Sequence, residues 1–413
     1  MRKRILTAAV TAATLASGVQ AAGFYLKEQS VVGQGRAFAG SAAGTDGASA
    51  AYFNPAGIVG VAEQIEIGAH YIEPDVSVTD DGSSVTVSIN GADTSSNTVD
   101  TDSVGSRTTA KPYKGKVIPD VHLVKALNDK YTLGVSVGAP YGFSNDYGSD
   151  VFNQADHRKV DFSTVETSIS VASALSPKTN WSIGLMVQQL DLEQDKKSPA
   201  SGNDVKLKGD SQDYGFIVGV QHKQSEKTTV GASYRSQVTH TVDGTLGTTD
   251  VTAPFQLPDI LAVGVAHTVS DNTRVYADAT WYGWNVYTSQ PIRAKANNAV
   301  LSEPVSNYNN TVSFGFGVEH DYPGGLTARA GLMIDPTPTN DTDRSTSTPD
   351  SDRTWLAAGL SKELSENMIV DAAVTHIMAD DTVVNKDISG VGFVKAKVKG
   401  STNILSLGLR YKF

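Results

Sequence analysis

Tyr131-Thr132-Leu133-Gly134-Val135-Ser136-Val137-Gly138-Ala139-Pro140-Tyr141-Gly142-Phe143 places every apolar side chain on one parity, with Pro140 alone breaking a run of small and polar residues on the other. Alternation of this kind is a strand with one apolar face, and it has no helical reading. The run is also longer than the strands of ordinary soluble sheets. The same period recurs in Trp181-Ile183-Leu185-Val187, Tyr214-Phe216-Val218-Val220, Val230-Ala232-Tyr234, Val312-Phe314-Phe316-Val318, Leu326-Ala328-Ala330-Leu332-Ile334 and Met368-Val370-Ala372-Val374. Weaker copies lie at 65–71, 117–126, 165–175, 261–267, 275–281 and 354–360. With the C-terminal segment, the count is about fourteen, spaced as the strands of a transmembrane barrel are spaced.

The connections alternate in length. Short turns such as Asn128-Asp129-Lys130, Ser270-Asp271-Asn272 and Tyr322-Pro323-Gly324-Gly325 are separated by Ser/Thr/Asp/Gly stretches at 79–112, 144–160, 194–211, 244–258, 288–310, 335–353 and 380–400. Short turns on one side and long loops on the other are the asymmetry of an outer-membrane barrel. Leu405, Leu407, Leu409, Tyr411 and Phe413 alternate to the last residue. A soluble β-sandwich would share the alternation, but not the turn asymmetry or the terminal aromatic. Tyr131, Tyr141, Trp181, Tyr214, Tyr287 and Tyr411 are expected in girdles at the two membrane surfaces.

Composition is consistent with an exported barrel. The 413-residue chain has no cysteine, which removes disulfide frameworks, thiolate metal sites and thiol nucleophiles. Its 34 basic and 44 acidic residues give a charge of −10, a poor balance for binding nucleic acid. Arg2-Lys3-Arg4, the apolar run from Ile5 to Ser17 and Val19-Gln20-Ala21 read as a signal peptide over residues 1–21. No later segment has the 18 or more apolar residues of a transmembrane helix. The expected organisation is therefore a leader, an N-terminal plug at 22–62 and an antiparallel β-barrel at 63–413.

The plug is read from Gly33-Gln34-Gly35-Arg36-Ala37-Phe38-Ala39-Gly40-Ser41-Ala42-Ala43-Gly44, whose small residues suit a compact segment inside the lumen. Gly33-Gln34-Gly35 does not open a dinucleotide fingerprint, because the next glycine is Gly40 and no βαβ unit follows. The string Gly23-Phe24, Glu28-Gln29-Ser30, Gly33-x-Gly35-Arg36-Ala37, Gly40, Asp46, Ser49 and Asn54-Pro55-Ala56-Gly57 resembles the hatch of the FadL family of outer-membrane transporters for long-chain fatty acids and other hydrophobic compounds. Tyr141-Gly142-Phe143, Trp181-Ser182-x-Gly184, Tyr234-Arg235-Ser236, Leu257-Pro258-Asp259, Arg329-Ala330-Gly331 and Pro349-Asp350-Ser351-Asp352-Arg353 extend the resemblance along the chain in order.

The resemblance implies a monomeric fourteen-stranded barrel in the outer membrane of a Gram-negative bacterium, closed by its hatch. It further implies that a hydrophobic cargo binds against the hatch and leaves sideways into outer-membrane lipid. Asn54, Pro55 and Ala56 would then face a kink in the third strand, residues 131–147, which contains Gly138-Ala139-Pro140. A proline cannot donate to the ladder and a glycine weakens it, so this triplet marks a bulge or gap. Phe24, Leu26, Val31 and Phe38 are candidates for lining the pocket. By parity Arg235, Arg274, Arg329 and Arg410 point into the lumen, where a guanidinium would hold a carboxylate or join a luminal ion-pair network. The ending on Phe413 resembles the signal read by the barrel-assembly machinery.

The chain departs from the best-known members after its fifth strand. Residues 194–211 are short and hydrophilic, and Asp191-Leu192-Glu193 stands where those members carry a basic residue. The eight histidines lack metal-ligand spacing, and H-E-x-x-H and P-loop motifs are absent. No catalytic activity, cofactor or metal is expected. The competing functions are a general diffusion porin and a structural or adhesive surface barrel.

Overall fold

Alternating apolar residues can be exposed on one side only where that side does not meet water, and this condition organises the whole chain. The computed structural model describes residues 23–85, 105–198, 203–388 and 392–413; the leader lies outside the described residues. The wall strands are β1 (Gln64–Asp80), β2 (Lys116–Ala126), β3 (Tyr131–Gly138, resuming as Gly142–Asp146), β4 (Lys159–Ser176), β5 (Thr179–Lys197) and β6 (Asp204–Lys223). They continue as β7 (Thr228–Arg235 and Val238–Leu246), β8 (Thr249–Leu257 and Ile260–Ser270), β9 (Thr273–Tyr282) and β10 (Thr311–Tyr322). The circuit ends with β11 (Leu326–Asp335), β12 (Arg353–Glu363), β13 (Met368–Ala379) and β14 (Gly392–Lys412).

Each strand pairs antiparallel with its sequence neighbour, and β1 pairs with β14 from Gln64↔Lys412 to Asp80↔Ala396. The result is a closed fourteen-stranded barrel without the free edge that invites aggregation. Its outer face carries Ile169 (50% exposed), Leu185 (54%), Phe316 (55%) and Leu407 (60%). On the opposite parity of β4, Thr164, Glu166, Ser168 and Ser170 are buried toward the lumen. Polar inside and apolar outside is the arrangement of a membrane barrel.

Several expected loops are paired strand. β5 and β6 have 19 and 20 residues, about twice the ~9–11 that cross a membrane. Residues 244–258 form a hairpin in β7 and β8 closed by Gly247-Thr248, and Thr382–Asp387 pairs with β14. Beyond the lipid neither face of a strand needs to be apolar, so alternation fades while backbone pairing continues. An outer cap formed by 147–158 packs Tyr147, Val151 and Phe152 against Val78, Val394 and Val398.

Residues 23–58 are almost wholly buried inside this wall. Short helical turns at Val31–Gln34, Ser41–Ala43, Gly47–Ser49, Ala50–Phe53 and Pro55–Ile58 carry the chain through the lumen. Hydrogen bonds fix them around the circumference. Ala48 and Ser49 N–H donate to Glu66 at 2.8 and 3.0 Å, and Gly40 N–H donates to Asp278 at 3.1 Å. Gln221 donates to the Ala43 and Gly44 carbonyls at 2.8 and 2.9 Å, and Gln34 donates to Thr375 at 3.2 Å.

Candidate functional site

The wall is interrupted at one place in β3. Its ladder with β4 runs to Gly138↔Glu166 and resumes at Gly142↔Ser163. On the other side β2 pairs with β3 only from Ala126↔Thr132 to Val121↔Val137, while residues 116–120 pair with β1 alone. Pro140 has no N–H to offer, so the break falls where the proline rule puts it.

The N-terminal segment meets this break through a single antiparallel bridge. Leu26 N–H donates to the Pro140 carbonyl at 2.7 Å and Gly142 N–H donates to the Phe24 carbonyl at 3.0 Å. These two bonds flank an antiparallel bridge between Tyr25 and Tyr141. The Gln29 amide donates to the Ala139 carbonyl at 3.0 Å. The expectation that Asn54, Pro55 and Ala56 face the kink is thus corrected. Asn54 caps the Pro55–Ile58 turn, accepting from Ala56 N–H at 3.2 Å, and donates to the Ala42 and Val220 carbonyls at 2.7 and 3.0 Å. The side-chain-free backbone of Gly219 and Gly231 on β6 and β7 gives it room there.

Above the break, side chains gather around Phe24. Its fully buried ring lies 4.7 Å from Trp284, 5.1 Å from Tyr287, 5.3 Å from Phe162 and 5.6 Å from Phe143, centroid to centroid. Tyr141, Phe255 and Tyr308 complete the shell at 6.2, 6.0 and 6.4 Å. Tyr141 and Tyr287 are therefore lumen residues, not girdle residues; Tyr214 and Tyr411 are exposed on the outer face as expected. The parity read through Pro140 fails because the break turns the backbone, and residues 139–143 are all buried. Sequence reading missed Phe162, Phe255, Trp284 and Tyr308. The available signal was that aromatics recur near the loop-side ends of strands, Phe255 and Tyr308 within stretches taken as loop and Phe162 and Trp284 just beside them.

The other apolar candidates divide. Leu26 and Phe38 join a second cluster with Ile72, Ile118, Met333 and Trp355, and Val31 packs on the bare backbone of Gly408 in β14. Below Phe24, Phe38 also borders a cavity of about 30 Å³, shared with Tyr25, Lys27, Arg235, Asp278 and Tyr282. That is room for about two waters. Arg235 pairs with Glu166, donates to the Tyr52 carbonyl at 3.0 Å and stacks on the Tyr52 ring at 4.3 Å.

The three remaining arginines lie elsewhere, around a polar cavity of about 290 Å³ that reaches the Gly325 turn. Arg274 binds Glu319 and Asp321, each at 2.7 Å, Arg329 binds Glu319, and Arg410 binds Asp371 at 2.7 Å. They form the ion-pair network at the short-turn end of the barrel, and Arg235 alone of the four approaches the Phe24 region. A separate buried chain links Ser136 to His122 at 2.9 Å, His122 to Asp120 at 2.9 Å and Asp120 to His70 at 2.7 Å. It ties β1, β2 and β3 to the plug through the Gln29 carbonyl and Gln34.

A closed lipid-facing barrel with its own N-terminal segment filling the lumen defines the class: a plugged outer-membrane barrel. The chain belongs to the outer membrane protein transport protein family (OMPP1/FadL/TodX), whose profile matches residues 12–413. It is an outer-membrane transport protein of a Gram-negative cell, and its family is one of channels and not of enzymes. It is 25% identical over 452 residues to outer membrane protein P1 of Haemophilus influenzae, covering 96% of each chain. It is 25% identical over 426 residues to the long-chain fatty acid transport protein of Escherichia coli O6:H1, covering 89% of this chain and 90% of that one. The crystal structure of a Pseudomonas aeruginosa FadL homologue shares the fold with a TM-score of 0.82 at 18% identity, covering 95% of this chain and all of the other. The Pseudomonas putida toluene transporter TodX gives 0.67 at 14% identity over 95% of this chain and all of the other.

Proposed function

We propose that the protein takes up hydrophobic molecules, long-chain fatty acids among them, by binding them in the aromatic chamber around Phe24 and releasing them sideways through the break in β3. The relatives' names, a long-chain fatty acid transport protein and a toluene transporter, give the chemical range. The observation that carries the sideways route is the wall itself: between residues 116–120 of β2 and 139–146 of β3 no ladder is present among the described residues, and the plug segment Phe24–Gln29 bonds to β3 there instead. Such an exit leads to lipid, so an acyl chain avoids the cost of re-entering water, ~0.8 kcal/mol per methylene. Aromatic side chains suit a chamber that accepts both chains and rings. The residues proposed for the gate are Gly138, Ala139 and Pro140 on the wall and Tyr25 with its neighbours on the plug, while Asn54, Pro55 and Ala56 hold the plug against β6 and β7.

The test is a reversible lock. The bonds on either side make Tyr25 and Tyr141 a non-hydrogen-bonded pair, the type whose Cα atoms lie about 4.5 Å apart and within disulfide range. The chain has no cysteine of its own. A Tyr25→Cys/Tyr141→Cys protein, expressed in cells lacking their own fatty-acid channel, is expected to lose labelled-oleate uptake when oxidised and regain it on reduction. Uptake that is indifferent to the disulfide would remove the lateral route. No uptake by the unaltered barrel would remove fatty acids as cargo.

A further inference from the structure

We infer that Lys27 anchors the anionic head of the cargo, so that this channel prefers long-chain carboxylic acids to neutral molecules of the same length; the inference rests on the uptake reading above. Lys27 sits in the plug segment and is 6% exposed. Its ammonium donates to the Ser313 hydroxyl at 3.2 Å and contacts the Met333 sulfur at 3.3 Å, with the Tyr282 ring at 5.8 Å. No carboxylate lies within 4.0 Å of it among the described residues. Charged groups withdrawn from water are almost always paired, because desolvation without a counter-charge is costly. Held by a hydroxyl and a thioether, with the Asp278 carboxylate of the same cavity beyond 4.0 Å, the ammonium makes no direct ion pair.

Its neighbours separate it from the other cation of the same cavity. Arg235 is already ion-paired with Glu166 and donates to the Tyr52 carbonyl. Asp278, which also lines the cavity, accepts the Gly40 N–H at 3.1 Å. Tyr25, Ile260 and Tyr282 belong both to the cavity wall and to the aromatic cluster around Phe24. A carboxylate on Lys27 would thus place its acyl chain among the rings that Phe24 now fills.

Lys27→Met keeps the length of the side chain and removes its charge. In cells lacking their own channel, with assembly matched by outer-membrane content, uptake of labelled oleate is expected to fall about tenfold or more, the scale of one charge-assisted contact. Uptake of labelled oleyl alcohol is expected to be unchanged. Lys27→Gln, which keeps a donor for Ser313, must show the same selective loss and replaces the Met variant where that fails to assemble. Equal loss of both substrates would make Lys27 a brace for the plug, and retention of both would show its charge unused; either overturns the inference while leaving uptake intact. Failure of the uptake reading shows separately, as no transport of either substrate by the unaltered protein.

Discussion

Gly331 lies on the lumen side of β11, where a Cβ would collide with the Arg36 backbone, and a Cβ at Gly231 would strike the Ala42 carbonyl. The plug is seated by close approach of backbones, which explains its Gly/Ala composition better than any flexibility does. His157 in the outer cap is the residue with the clearest solution signature. It is fully buried, donates from Nε2 to Asn145 Oδ1 at 2.8 Å and accepts from Gln194 at 3.4 Å through Nδ1. Burial, with the Lys196 ammonium adding to it, pushes the imidazole from the ordinary 6.5 down to about 3. The folded ring therefore stays neutral while the unfolded ring takes up a proton, so its stabilising contribution is complete above about pH 6.5 and drains as pH falls toward 3. The cap is expected to be roughly 2 kcal/mol weaker at pH 5 than at pH 7. Amide exchange over 147–158 checks this; His157→Gln should flatten the dependence, and a cap equally protected at both pH values would refute it.

At the scale of elements, Phe24–Gln29 is an extended plug segment that bridges to β3 at the break through Tyr25 and Tyr141. It is attached by backbone bonds to Pro140 and Gly142, by side-chain bonds from Lys27 and Gln29, by Leu26 in the second apolar cluster and by the rings of Phe24 and Tyr25 in the aromatic shell. Truncating a buried Phe costs about 3–5 kcal/mol, and here that loss falls on the contact between the segment and the aromatic shell. Phe24→Ala is expected to speed amide exchange at Leu26 and Gly142 and to raise entry of a hydrophobic fluorescent probe, with the barrel's thermal stability unchanged. Unaltered exchange at those two amides would show that the ring does not hold the segment. The break itself was legible, because Pro140 announces it. Its occupant was not: Asn54-Pro55-Ala56 and Phe24–Leu26 are both plug residues, and only the pairing of Tyr25 with Tyr141, 116 positions along the chain, distinguishes them.

For the whole molecule, closure of β1 on β14 fixes the barrel, and the last strand ends in a side chain that contributes little to it. Phe413 is 56% exposed and its N–H donates to the Glu63 carbonyl at 3.1 Å, a bond that any residue would make. Phe413→Ala is expected to lower the amount of barrel reaching the outer membrane several-fold while leaving the melting temperature of assembled protein within a few degrees. A matching fall in melting temperature would assign the aromatic to stability and not to assembly.

The sequence by itself determined the membrane barrel, its strand count, the small-residue plug and the position of the break. Each depends on local chemistry: period-two alternation where one face meets lipid, short turns at one end, backbone groups that Pro140 lacks. The tertiary structure decided what lies opposite what. It placed Arg274, Arg329 and Arg410 in a network at the short-turn end, turned Tyr141 and Tyr287 inward, put Tyr25 into the break and left Lys27 in the lumen with no direct ion pair among the described residues. Parity tells only which face a side chain takes; its height in the lumen and its partner follow from strand register and from the path of the plug, which are settled by contacts between residues far apart in sequence.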